Sequence, residues 1–300
     1  MPCYHPLIAW QTGKEKPTFN KPDANYPRRI RLPCGQCIGC RRERCRQWAV
    51  RCIHEAQLHK NSVFLTLTYN DETCPKITLV KKHFVDFFKR LREHHFRQTG
   101  ERKKLRYFMC GEYGEETSRP HYHALVFGLQ LPDLKFHKTT KTGLQLFTSN
   151  ILEGIWGKGH CLIGSVAFES AAYVAGYLYK KQTGDNRKTI DIIDIDTGEI
   201  HRRQKEYGTM SRNPGLGREW LRRFASDVYP KGTVVSRAHE APAPRFYDNI
   251  FQLENQLEYD TMKERRRIAA ELKWEDSTNR RLATRETVEK ARLALGQRAL

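Results

Sequence analysis

Two strand-like runs, Leu105–Tyr113 and Pro120–Gly128, are joined only by the polar stretch Gly114–Arg119. No other feature of the chain constrains its fold as much. So short a connection makes the runs neighbours in an antiparallel sheet. If the hairpin folds about Glu116–Thr117, residue 112 lies opposite residue 121. Alternate side chains on a strand share a face, so His121 and His123 emerge together while Tyr122 turns away. Cross-strand partners have Cβ atoms roughly 5 Å apart, which brings Glu112 within reach of both imidazoles. Two histidines and a carboxylate can grip a divalent ion and leave positions open for water and a phosphate oxygen. The bland alternative is a pair of histidines decorating an exposed sheet face.

Further elements surround the hairpin. Ser62–Tyr69 alternates, with Val63, Leu65, Leu67 and Tyr69 on one face and Phe64, Thr66 and Thr68 on the other. Leu79 to about Gln98 reads as an amphipathic helix through Val80, Phe84, Phe87, Phe88 and Leu91. A short helix near Asn150–Trp156, a strand near His160–Phe168 and a helix from about Ser170 to Lys181 follow. This order predicts an α+β fold, a central antiparallel sheet flanked by helices. Residues 183–210 read as an insertion, and Ser211-Arg-Asn-Pro-Gly-Leu-Gly217 as a tight basic loop before a helix at Arg218–Asp227. Three regions are expected: a Cys-rich extension and helix over 1–60, the sheet-bearing core over 61–238, and a charged helical tail over 239–300.

The helix from about Ser170 to Lys181 carries Tyr173-Val-Ala-Gly-Tyr177-Leu-Tyr179-Lys180-Lys181. Positions i and i+4 stack on a helix, so Tyr173 and Tyr177 share a face that Lys180 continues and Lys181 borders. A phenol is a usable nucleophile towards phosphorus when a metal drains charge from the phosphate. Packing of an aromatic face on the sheet would produce the same spacing.

Charge supplies the partner class. Lys and Arg number 53 against 34 Asp and Glu, a formal charge of +19. Self-repulsion of that size points to a polyanion, most simply nucleic acid. No apolar run approaches membrane-spanning length, and the start lacks a signal-peptide core. Nine cysteines in a basic, non-exported chain favour metal binding over disulfides. Cys34, Cys37 and Cys40 stand at two successive C-x2-C spacings, suited to a structural zinc if a fourth ligand arrives. Cys3 is the choice for it, with His5 or Cys45 next. An iron–sulfur run would carry a further Cys-Pro, which is missing, and reduced semi-buried thiols are the plain alternative. Cys45 and Cys52 recur with Trp48, Ala49 and Ala56 on one helix face, as core residues would.

Taken in order, Phe64-Leu-Thr-Leu-Thr-Tyr69, Pro120-His-Tyr-His123 and Tyr173-Val-Ala-Gly-Tyr177 with Lys180-Lys181 resemble the three motifs of HUH endonucleases, Tyr122 standing at the bulky apolar U position. The chain is similar, from Cys3 to the tail, to the replication initiation proteins of microviruses, gokushovirus type. Pro33-Cys-Gly-Gln-Cys-Ile-Gly-Cys-Arg41, Ser211–Gly217 and Pro244-Arg-Phe-Tyr-Asp248 carry that closer likeness. The resemblance implies an HUH, ferredoxin-like nuclease core in which His121 and His123 hold Mg²⁺ or Mn²⁺. Glu112 would be the third ligand, with Glu115 and Glu116 on the turn as secondary candidates. It implies that Tyr173 or Tyr177 cuts one strand of a viral single-stranded or supercoiled DNA origin. The products would be a 5′-phosphotyrosine bond and a free 3′-hydroxyl for the host replication machinery, in the host bacterial cytoplasm. Rejoining by the same site would need no nucleotide cofactor. Some relatives carry Lys where this chain has Gly176, which leaves Lys180 and Lys181 as the basic candidates. The contrasting expectation is a non-catalytic, zinc-containing nucleic-acid-binding regulator.

Overall fold

The hairpin adopts the register its short connection requires. Glu112 pairs with His121 and Cys110 with His123 in a computed structural model. It describes residues 3–13, 16–21, 27–75, 78–100, 105–114, 117–140, 142–180, 189–193 and 198–298, with backbone alone at 177–180 and 296–298.

In chain order the elements begin with β1 (Leu7–Gln11), β2 (Arg28–Leu32), α1 (Ile38–Ala56), β3 (Ser62–Thr68), α2 (Lys81–Thr99), β4 (Arg106–Tyr113), β5 (Pro120–Phe127), β6 (Lys135–Thr139) and β7 (Gln145–Thr148). They continue with α3 (Asn150–Trp156), β8 (Cys161–Ser165), α4 (Phe168–Lys180), β9 (Thr189–Ile193), β10 (Ile200–Gln204), β11 (Tyr207–Met210) and α5 (Arg218–Val228). The remainder is β12 (Thr233–Ser236), β13 (His239–Pro242), α6 (Arg245–Glu254), α7 (Gln256–Leu272), a 3-10 turn at Trp274–Ser277 and α8 (Asn279–Arg298).

Seven strands form one antiparallel sheet in the order β11-β4-β5-β3-β8-β7-β6. The fold is therefore α+β, as the pattern of elements predicts. Alternation along the strands gives the sheet two apolar faces. On one, Leu65, Leu67, Met109, Tyr122, Ala124 and Val126 pack with Phe84, Phe87, Phe88 and Leu91 of α2 and with Leu152 and Trp156 of α3. On the other, Phe108, Cys110, Leu125 and Phe127 meet Ala49 and Cys52 of α1 and Ala171, Val174 and Ala175 of α4. The period-2 pattern of β3 and the 3.6-residue pattern of α2 are thus spent on the same core. α2 stops at Gly100, whose φ of 66° places it in the left-handed region and whose N–H closes on the Phe96 carbonyl.

The stretch 183–210 is not all an insertion. β9 and β10 pair only with each other, but β11 adds to the sheet as an edge strand beside β4. Its four residues are too few to announce a strand in sequence; hydrogen bonds to β4 define it. Asp196 and Thr197 lie outside the described residues. The stretch between Gly128 and Asn150 contains β6 and β7, which extend the sheet at its other end.

The chain divides into two units, Cys45–Gln256 and a second made of Met1–Arg44 with Leu257–Leu300. In the second, β1 and β2 form a two-stranded sheet. Arg28 pairs with Glu271 at 3.4 Å and His5 with Glu286 at 2.8 Å. Arg31 donates to the Ser277 carbonyl. The N-terminal segment and the charged tail are therefore tied to each other. Among the described residues no helix is long and apolar enough to cross a membrane.

Candidate functional site

The α4-facing side of the sheet changes character along its length. On β5, buried Phe127 and Leu125 give way to His123 and then His121. On β4, Phe108 and Cys110 give way to Glu112. On β3, Phe64 gives way to Thr66 and Thr68, which pair with His123 and His121. Core and polar cluster are thus successive residues of the same strands.

Glu112, His121 and His123 present their ligand atoms within 4.8 Å of one another. The Nε2 atoms of both histidines lie 2.7 Å from the same oxygen, Glu112 Oε1. Glu112 is only 1% exposed, and its second oxygen, Oε2, is buried with no hydrogen-bond partner. Burial pushes the Glu112 carboxyl up, but bonds from His121 and His123 outweigh it and hold the group below its ordinary value. Burial opposes a charge on His121 too, yet Glu112 and the Arg119 carbonyl raise its proton affinity. His123 is buried more deeply, and there desolvation prevails and lowers it. An ionised carboxylate with an unused buried lone pair, facing two imidazole nitrogens, is a donor set that a divalent cation fits.

Outer partners aim the rings. His121 Nδ1 lies 3.2 Å from the Arg119 carbonyl, which can only accept, so Nδ1 carries a proton and Nε2 is the inward atom. His123 Nδ1 sits 3.0 Å from Thr66 Oγ1, and its ring stacks with Phe64 at 5.5 Å. Arg119 is itself held by the Tyr69 carbonyl at 3.1 Å and by Asp71. Sequence reading placed Thr66 on the face of its strand opposite Leu65 and Leu67, without relating it to the histidines. Arg119 carries no signal beyond its position just before the histidine strand.

Tyr122 points the other way and is fully buried. Its hydroxyl donates to the Val80 carbonyl at 2.8 Å. Tyr69 must therefore donate to Tyr122, at 2.9 Å, and His83 Nδ1 to Tyr69, at 2.8 Å. A hydroxyl at a position that asks for bulk is thereby satisfied inside the core.

α4 brings the phenol. Ala171, Val174 and Ala175 anchor the helix on the apolar end of the face, so Tyr173 projects from between them towards the polar end. Its hydroxyl donates to Glu112 Oε1 at 3.3 Å, and its ring stands edge-on to His123 at 5.1 Å. It remains 43% exposed, open to a ligand. Tyr177 follows one turn later in α4; its side chain and that of Lys180 lie outside the described residues, as do Lys181, Glu115 and Glu116.

In the other unit, Cys3, Cys34, Cys37 and Cys40 bring their sulfurs within 4.8 Å of one another. Cys3, distant in sequence, is the fourth member; His5 instead pairs with Glu286, and Cys45 packs against the core. Backbone N–H groups converge on the sulfurs: Cys34 on Cys3 Sγ, Cys37 on Cys34 Sγ and Tyr4 on Cys37 Sγ, each at 3.3 Å. Burial pushes the Cys37 thiol up, but the Tyr4 and Cys40 amides and the Cys40 and Cys34 side chains prevail and hold it at about 6. Burial keeps Cys3 and Cys40 above the ordinary thiol value. Four thiols crowded around preformed N–H donors suit a soft, tetrahedral cation.

A family model described as replication-associated protein ORF2/G2P matches residues 62–182, the stretch from β3 through the end of α4 that carries the histidines and Tyr173. The chain is 35% identical over 235 residues to replication-associated protein VP4 of Bdellovibrio phage phiMH2K, covering 76% of this chain and 71% of that protein. It is 30% identical over 258 residues to replication-associated protein ORF2 of Spiroplasma virus 4, covering 82% and 76%. Against replication-associated protein ORF4 of Chlamydia phage 1 the identity is 25% over 237 residues, covering 77% and 56%. No solved structure matches the chain.

Proposed function

Because the chain belongs to the microvirus-type replication-associated proteins, and so to the apparatus of phage genome replication, we propose that it nicks and rejoins one DNA strand at the phage origin by the HUH reaction. The single observation that carries this reading is the meeting of an exposed phenol, Tyr173, with the Glu112–His121–His123 cluster.

In this mechanism His121, His123 and Glu112 hold Mg²⁺ or Mn²⁺, which supplies charge neutralisation of the phosphate when bound. Tyr173 attacks phosphorus, and Tyr177, one helical turn away, serves as the second nucleophile. The new bond joins the tyrosine oxygen to phosphorus, and the bond from phosphorus to the 3′ oxygen breaks. The phenol gives up its proton, and the departing 3′ oxygen takes one up to become a free hydroxyl for host polymerase. One phosphodiester is exchanged for another, so the reversed step closes a strand without a nucleotide cofactor. Thr66 and the Arg119 carbonyl keep the imidazoles aimed throughout. Lys180 and Lys181 are the basic groups assigned to the scissile phosphate. The four-cysteine cluster is assigned to structural zinc. The working location is the cytoplasm of the host bacterium.

The test is a detergent-resistant adduct with an origin oligonucleotide in Mn²⁺. Wild type should form it, and Tyr173→Phe with Tyr177→Phe should abolish it. Adduct from the double variant would refute the nucleophile assignment. Metal-independent binding with no adduct from wild type would favour a non-catalytic regulator.

A further inference from the structure

Beside the cluster stands a carboxylate that neither the motifs nor the mechanism above employs. Glu206 lies just before β11, where Tyr207 pairs with Gly111 and Gly208 with Cys110. Carrying that register one residue further sets Glu206 against Glu112, on the same face as the two histidines. The alternation agrees, since Met210 of β11 packs into the core of this face while Tyr207 packs into the other. Glu206 is 7% exposed, and its Oε1 accepts from the Tyr113 N–H at 3.3 Å. It lies within electrostatic reach of both His121 and Cys110.

Two buried carboxylates on adjacent strands repel each other and lose hydration together. Such a pair is costly unless positive charge sits beside it. Glu112 keeps a buried oxygen unused, on the strand that β11 pairs with. We propose that Glu206 is the second carboxylate of the cation site, acting on the bound divalent ion from the strand next to Glu112, directly or through an ion-bound water. This deepens the reading above and rests on it. It makes β11 a working part of the site, and it biases the site towards hard, oxygen-preferring cations such as Mg²⁺ and Mn²⁺ over softer ones.

The experiment is Mn²⁺ binding by the full chain without DNA, read as free Mn²⁺ in electron paramagnetic resonance. Glu206→Gln keeps the shape and an acceptor for the Tyr113 N–H, so a purely structural role leaves affinity unchanged. The proposal expects a loss of about 10- to 100-fold, with the metal-free melting temperature retained. Affinity within about twofold of wild type overturns it. Should Glu206→Gln fail to fold, Glu206→Asp carries the test: withdrawing the charge by one methylene should weaken binding several-fold, and no change refutes the proposal. Glu112→Gln separates the two readings. If it loses Mn²⁺ while Glu206→Gln does not, only the role of Glu206 falls; if wild type binds no Mn²⁺, the metal-dependent mechanism falls with it.

Discussion

Glu112 Oε1 takes hydrogen bonds from two imidazoles and a phenol, while Oε2 takes none. That asymmetry makes each ring's second nitrogen decisive, because it alone fixes which way the ring faces. Thr66→Val removes the oxygen beside His123 Nδ1 and keeps the side chain's shape. It should weaken Mn²⁺ binding by about 10-fold while shifting the melting temperature little, as titration and calorimetry would read. An unchanged affinity would mean that packing against Phe64 alone orients His123. Of these residues, the histidines and Glu112 were legible in the sequence, since strand alternation and a short turn fix their neighbours. For Thr66 the alternation within its own strand was legible but not its role, because its hydroxyl gains meaning only from a strand 57 residues away. Glu206 was illegible: 94 residues separate it from Glu112, and only strand pairing joins them.

Among the elements, α1 does work that no motif announces. Its buried Glu55 accepts from the Gly217 N–H at 2.8 Å and pairs with Arg106 at 2.7 Å. It thereby clamps the Ser211–Gly217 loop to β4. A Cβ at Gly217 would come within 2.4 Å of the Tyr247 hydroxyl, so α6 closes over that loop as well. The two short motifs Ser211–Gly217 and Pro244–Asp248 are thus halves of one clasp. His54, one residue before Glu55, completes it by bonding Tyr247 at 3.0 Å and stacking on Trp220. Burial holds the His54 imidazole down to about 4, from an ordinary 6.5. Between those values the unfolded chain binds a proton that the folded clasp refuses. The stabilisation is therefore complete above about pH 6.5 and lost as pH falls towards 4, by about 3 kcal/mol. His54→Phe should flatten melting temperature against pH across that window; a wild-type slope in the variant would assign the loss elsewhere. The long periodic elements, β3, β4, β5 and α2, were readable because burial imposes their pattern. β1 and β2 were not: the sequence Arg28-Arg-Ile-Arg31 shows no apolar face, and each strand is defined by its partner.

For the molecule as a whole, two donor sets of opposite softness lie in separate units. The assignments predict separable metal losses. A zinc-selective chelator should remove about one zinc per chain and first speed amide exchange in 1–44 and 257–300. Mn²⁺ binding at Glu112 should survive. Loss of both together, or no zinc in freshly purified protein, would contradict the thiolate assignment. The charge of +19 adds a broad attraction for DNA that no single residue carries, one that fades with salt.

The alternation of Phe127, Leu125, His123 and His121 along one strand has a consequence for how such a protein can diversify. Chemistry and folding share a backbone with no slack between them, so a volume change at Leu125 or Ala175 will be felt at the imidazoles. Variation that lineages tolerate is therefore expected away from these strands, as at the β9–β10 ribbon, which pairs only with itself.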